Sequence, residues 1–220
     1  MSDYITFALP KGRIMQDSME LFGKIGITCP EMAGDSRKLV FENPESKFRF
    51  MAVRATDVPT YVEYGCADLG VVGKDTLLEQ GKDLYEPLDL KFGYCRLVVA
   101  EPKELFAEED PASWSNIRVA TKYPAITERY FAARGVQVEL IKLYGSIELA
   151  PLVGLAERIV DLVSTGATLR DNGMVEVETI AEITSRLIVN RASLKTKHQR
   201  ISRIIADLEQ VIGEQATISG

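Results

Sequence analysis

The sequence predicts an α/β protein built as two lobes. Three observations predict it. Apolar strand-like runs alternate with helical periodicity from the start of the chain, which implies strands covered by helices. The alternation forms two series within only 220 residues. A further long apolar stretch, residues 177–189, then offers a way back to the first series. The expected lobes are residues 1–92 with 178–220, and residues 93–177. Strands separated by helices connect by crossovers, so the sheets are expected to be mostly parallel.

In order, Ile5-Thr-Phe-Ala-Leu9 is an uninterrupted apolar run that reads as a buried strand. Residues from Arg13 to about Ile25 predict a helix, with Met15, Met19, Phe22 and Ile25 near helical spacing. Phe48 to Val53 predicts a second strand. Asp57 is a plausible N-cap for a helix through Tyr64. Asp68 to Val72 predicts a third strand, with a short helix from about Asp75. In the second series, Arg96–Ala100 and Ile117–Ala120 read as strands. Pro124 suits the first turn of a helix running to Arg134. Val136–Ile141 and Arg158–Val163 are further strands. The acidic, polar segment from Glu101 to Asn116, with Pro102 and Pro111, is expected to be an exposed excursion within the second lobe. Ile201, Ile204, Ile205, Leu208, Val211 and Ile212 mark an amphipathic helix. Its apolar face packs either on its own lobe or on a partner.

Composition excludes several functions. The formal net charge is -6, and a nucleic-acid partner would need a basic face. Any anionic ligand must therefore be held by local cations or backbone N–H groups. Met1 to Leu9 carries no secretory signal, and no apolar run is long enough to span a bilayer, so a cytoplasmic chain is expected. Cys29, Cys66 and Cys95 are odd in number and far apart, as reduced thiols would be. The one histidine, His198, sits in the polar run Lys195-Thr-Lys-His-Gln-Arg200 and reads as a solvated helix residue. No histidine-based metal site or Ser-His-Asp triad is expected.

The sharpest chemical feature is the run Arg158-Ile-Val-Asp-Leu-Val-Ser-Thr-Gly-Ala-Thr-Leu-Arg170. An apolar strand leads directly into Ser164-Thr165-Gly166-Ala167-Thr168 and a possible helical turn. Such a loop gathers backbone N–H groups and the hydroxyls of Ser164, Thr165 and Thr168 around one point. Gly166 would let the backbone approach a ligand closely, and a helix start behind the loop adds positive partial charge. That is a cradle for a phosphate monoester which needs no lysine. Asp161, on the strand leading in, is placed to accept from sugar hydroxyls. The same pattern also fits a tight strand-to-helix turn with no ligand. Pro10-Lys11-Gly12-Arg13 again joins a strand end to a helix start and brings two cations to an anion site. Arg54 ends a strand. Gly65 to Asp75 invites a Walker A reading, which fails because Asp68 and Asp75 stand where the pattern needs other residues; Gly73 there is a candidate for close approach of a nucleotide. Tyr94 and Tyr123 are possible adenine neighbours, although single tyrosines are more often partly buried structure.

Residues 148–172, Glu-Leu-Ala-Pro-Leu-Val-Gly-Leu-Ala-Glu-Arg-Ile-Val-Asp-Leu-Val-Ser-Thr-Gly-Ala-Thr-Leu-Arg-Asp-Asn, resemble the signature of the ATP phosphoribosyltransferases. The likeness extends to Ala8-Leu-Pro-Lys-Gly-Arg13, Val53-Arg-Ala-Thr-Asp-Val-Pro59, Asp68-Leu-Gly-Val-Val-Gly-Lys-Asp75 and Gly145-Ser-Ile-Glu148. One departure is Glu157-Arg158, where the family often has Asp and an uncharged or variable residue. The resemblance implies a fold like the type II periplasmic binding proteins, with two α/β lobes and a cleft. It implies transfer of the phosphoribosyl group of phosphoribosyl pyrophosphate (PRPP) to N1 of the adenine of ATP, the first step of histidine biosynthesis, with Mg2+ on the departing pyrophosphate. Asp161, Ser164, Thr165, Gly166, Ala167 and Thr168 would hold PRPP. Lys11, Gly12, Arg13, Gly73 and Glu148 would hold ATP or pyrophosphate, with Arg13 and Arg54 as catalytic residues and Arg37 a weaker candidate. Because one helix ends the sequence, the short form is implied, and with it a hetero-oligomer with a regulatory subunit resembling histidyl-tRNA synthetase. The competing expectation is a cytosolic module of the same fold that binds a small anion or phosphorylated ligand.

Overall fold

A computed structural model describes residues 3–33, 37–108, 111 and 114–218. The chain opens with β1 (Ile5–Pro10), α1 (Arg13–Lys24), β2 (Val40–Asn43), β3 (Phe48–Val53), α2 (Val58–Glu63) and β4 (Leu69–Gly73). Next come α3 (Lys74–Gln80), β5 (Tyr85–Asp89), β6 (Cys95–Pro102), α4 (Lys103–Glu108), β7 (Asn116–Thr121) and α5 (Pro124–Ala132). They are followed by β8 (Gln137–Lys142), α6 (Leu149–Leu152), β9 (Arg158–Val163), α7 (Ala167–Asp171), β10 (Met174–Ile183) and β11 (Ser185–Val189). Two helices close the chain, α8 (Arg191–Thr196) and α9 (His198–Ile218). These elements make two compact units. One is drawn from residues up to Leu77, Gly81–Gly93 and Thr184 onward, the other from Leu78–Gln80 and Tyr94–Ile183.

The sheet of the first unit runs β2-β3-β1-β4-β11-β5. Every residue of β1 and β4 is buried, as central strands covered on both faces require. Phe7 on β1 stacks on Phe50 of β3 with ring centroids 5.3 Å apart, and meets Phe22 of α1 at 5.0 Å. Ile201, Ile204 and Leu208 of α9 enter the same core. Of the two packings open to the last helix, that face is therefore used within its own unit. Asp68 fixes the helix start. Its carboxylate accepts from Thr6 N–H at 2.8 Å and from Lys197 Nζ at 2.8 and 2.9 Å, while Lys197 also donates to the Tyr4 carbonyl at 2.7 Å.

The sheet of the second unit runs β10-β6-β9-β7-β8. One face carries Leu97, Val99, Val119, Phe131 and Val160; the other carries Val98, Ala120, Ile159 and Leu169. At the edge of the first cluster lies a charged pair. Arg158 Nε is 2.6 Å from Glu101 Oε2, with both side chains essentially inaccessible (1% and 0% exposed). The Arg158 guanidinium lies 4.5 Å from the centre of the Trp114 ring.

Four expectations are corrected. Neither sheet is mostly parallel: each has a parallel core, β3-β1-β4 or β9-β7-β8, flanked by antiparallel strands. The edge strands β2 and β5 went unpredicted, because they are short and half exposed and so lack a periodic signature. The apolar stretch 177–189 is not one element. β10 stays paired with β6 to Ile183, and the chain returns only at Thr184, so the return lies later than residue 178. The segment from Glu101 to Asn116 is not simply exposed: Glu101 and Trp114 are buried, and residues 103–108 form α4. Its residues 109, 110, 112 and 113 lie outside the described residues. Asp57 does precede α2, but without a side-chain cap.

A candidate phosphosugar site and the family

In the second unit, β9 delivers the predicted loop. Val163 and Leu169 are buried and pin its two ends, while Ser164, Thr165, Ala167 and Thr168 remain exposed. Glu148 and residues 161–169 line a hollow of about 240 Å³. Gly166 has φ +71°, the left-handed region that favours glycine. Thr165 Oγ1 accepts from Ala167 N–H at 3.4 Å. Among the described residues, the N–H groups of Thr165, Gly166 and Thr168 have no protein acceptor. Three hydroxyls and several amide donors thus surround one space.

The role of Gly166 differs from the expected one. A Cβ placed there would lie 3.0 Å from Arg170 Nη1 and 3.1 Å from Glu176 Oε1. Its bare face therefore looks toward those side chains, not into the hollow. The glycine is needed for the turn itself.

Two carboxylates face the same hollow. Asp161 accepts from Leu162 N–H at 2.8 Å. Burial lifts its carboxyl above the ordinary value, and Glu148 lifts it further; the Leu162 N–H and the Lys122 cation oppose this. Glu148, which the resemblance assigned to ATP or pyrophosphate, lines the hollow beside Asp161. Lys122 was missed. It follows the C-terminal end of β7, where α/β sheets place ligand groups, and Pro124 had already marked that strand's end.

A raised carboxyl favours the folded state while protonated. That contribution is fully present below the ordinary carboxylate pKa and is lost as pH rises through the raised value. Asp161→Asn keeps an oxygen for Leu162 N–H and removes the charge. It is expected to raise the melting temperature at neutral pH, with the gain vanishing near about pH 3. Thermal melts at both pH values check this; a lower melting temperature at neutral pH would contradict it.

In the first unit, β1 and β3 end side by side. Pro10 is in register with Val53, and Lys11 N–H donates to the Val53 carbonyl at 3.0 Å. Lys11 and Arg54 therefore emerge next to each other at the C-terminal edge of the parallel strands. Gly12, with φ +101° and ψ -151°, occupies a region open essentially only to glycine and turns the chain into α1. Arg13, the first residue of α1, is 90% exposed in its side chain and lies 3.8 Å from Asp17. Arg37 is exposed on the segment before β2. Gly73 is corrected as a point of ligand approach. It is buried, and the space of its missing Cβ is taken by Asp75 Oδ1. Tyr123 is buried beneath the second sheet, whereas Tyr94 is half exposed. His198 is exposed at the start of α9.

An apolar strand that feeds hydroxyls and amides into a hollow edged by carboxylates makes this loop a candidate site for a phosphorylated ligand. The HisG family model, ATP phosphoribosyltransferase, matches residues 54–210. The chain belongs to the ATP phosphoribosyltransferase family. It is 91% identical over 216 residues to an ATP phosphoribosyltransferase from Syntrophotalea carbinolica, covering 98% of this chain and 99% of that one. It is 58% identical over 210 residues to one from Acidithiobacillus ferrooxidans, covering 95% and 98%. The solved ATP phosphoribosyl transferase (HisG:HisZ) complex from Thermotoga maritima superposes with a TM-score of 0.81 at 33% identity, covering 96% of this chain and 99% of that one. The substrate binding protein of an amino acid ABC transporter shares the fold alone, with a TM-score of 0.59 at 13% identity, covering 98% and 94%. The expected likeness to periplasmic binding proteins is thus present in the fold, while the binding-module alternative is not favoured.

Proposed function

We propose that the chain transfers the phosphoribosyl group of PRPP to N1 of the adenine of ATP, giving N1-(5-phosphoribosyl)-ATP and pyrophosphate. The observation that carries this is the Ser164–Thr168 loop around its hollow, in a chain of this family. In this reading the sugar 5′-phosphate accepts hydrogen bonds from the loop amides and from the hydroxyls of Ser164, Thr165 and Thr168. Asp161 and Glu148 accept from the ribose hydroxyls. Their negative charge also favours the oxocarbenium character that develops at the anomeric carbon.

Adenine N1 supplies the electron pair for the new C–N bond, and the C–O bond to the diphosphate breaks with its pair on the departing oxygen. No protein nucleophile is required, so catalysis is positioning and charge stabilisation. We propose that Lys11, Arg13 and Arg54 bind the phosphates of ATP or pyrophosphate, with the guanidinium forks suited to bidentate contact, and that Gly12 shapes the turn into α1 beside them. Mg2+ is proposed to ride on the diphosphate. Such an ion needs only one or two protein carboxylates beside substrate oxygens, and Asp161 and Glu148 could supply them. Among the described residues no group of three or more His, Cys, Asp and Glu side chains could hold a metal without substrate. When bound, the ion would neutralise charge on the leaving group.

We further propose a regulatory HisZ-type subunit as partner, as named in the Thermotoga maritima complex, and a cytoplasmic location. No helix among the described residues is long and apolar enough to cross a membrane. The full chain, with its regulatory subunit, ATP, PRPP and Mg2+, is expected to release pyrophosphate only when ATP is present. Release with free adenine in place of ATP would assign a different acceptor, and no release under either condition would remove the proposal.

A further inference from the structure

We propose that Arg170 is a positioning residue that aims the Gly166 N–H into the sugar-phosphate hollow. The inference rests on the reading of that hollow given above. Arg170 lies in the last turn of α7 (Ala167–Asp171), two residues beyond Thr168. Its Nη1 donates to the Thr165 carbonyl at 2.9 Å. The hollow is lined by Glu148 and residues 161–169, so the guanidinium holds this carbonyl from outside it. The peptide between Thr165 and Gly166 is trans, which sets its N–H opposite its C=O. A carbonyl held outward turns the Gly166 N–H inward.

The side of the loop that Arg170 occupies is built for it. Gly166 presents its bare Cα to Arg170 Nη1 and to Glu176 Oε1. Glu176 is held by a bidentate pair with Arg96, at 2.6 and 3.1 Å. Glycine therefore serves two ends, the left-handed turn and the room for this brace. Without the guanidinium, the Thr165–Gly166 peptide is free to rotate, and a phosphate would have to order it on binding.

The test uses the full chain with Arg170→Met and Arg170→Lys. Because the side chain is exposed, Arg170→Met is expected to leave the melting temperature unchanged. PRPP affinity, measured by calorimetry, should fall about tenfold or more, the loss of one well-placed hydrogen bond to a charged group, while ATP affinity stays constant. Arg170→Lys keeps a donor and should recover most of that loss. PRPP affinity within about twofold of wild type in Arg170→Met overturns the proposal. So does an equal loss of PRPP and ATP affinity with a lower melting temperature, which would mark a general structural role. The 15N-labelled Gly166 amide, titrated with ribose 5-phosphate, separates the layers. A wild-type amide that does not move defeats the phosphate loop and this inference together. An amide that moves alike in wild type and Arg170→Met defeats the positioning role alone.

Discussion

Replacing Glu101 by Leu will destabilise the second unit by about 3–5 kcal/mol, because it removes the buried carboxylate that faces the buried Arg158 guanidinium. The pair is 2.6 Å apart, with neither side chain accessible to water, and the guanidinium also lies over the ring of Trp114. Thermal melts should show a fall of roughly 10 °C for a chain of this size. The double variant Glu101→Leu/Arg158→Met should regain most of the loss, since replacing a buried pair by apolar groups is often neutral. A single variant that costs less than about 1 kcal/mol would show that the pair is solvated. The candidate site is tied to this result, because Arg158 begins the strand that carries Asp161 and ends at the Ser164–Thr168 loop.

Gly166→Val will lower PRPP affinity by about a hundredfold, equivalent to the loss of roughly 3 kcal/mol of charge-assisted hydrogen bonding. The cause is the shape of the turn. A β-branched residue is strained at φ +71°, and its Cβ would press on Arg170 and Glu176 at 3.0 and 3.1 Å. Both neighbours are ends of flexible side chains, so the loop deforms while the sheet survives. Calorimetric titrations with PRPP and ATP check this. Wild-type PRPP affinity in the variant would remove the turn geometry from the binding site.

Much of this architecture was legible in the residues. β1 and β4 are almost wholly apolar runs, and β9 is apolar apart from Arg158 and Asp161; covered strands favour such composition. The Ser164–Thr168 loop stood out because an apolar strand runs straight into small hydroxyl side chains and a glycine. What escaped detection depends on a partner distant in sequence or on the direction in which a nearby side chain folds. Glu101 looked solvated because its counter-ion lies 57 positions away at Arg158. Gly73 looked like a ligand contact because nothing in sequence shows the Asp75 carboxylate folding back over it. The side of Gly166 that faces Arg170 was equally invisible, since a glycine's φ value is known only from the turn it makes.

The clamp between Lys197, Asp68 and the Tyr4 carbonyl has a consequence for biosynthesis. The opening strand must wait for nearly the whole polypeptide to leave the ribosome before its lysine partner exists. Meanwhile Tyr94–Ile183, an almost continuous stretch, has already emerged and can pack. Released fragments ending just before residue 184 should therefore resist protease across that middle stretch, while the amino-terminal segment stays open to cutting without the closing helix.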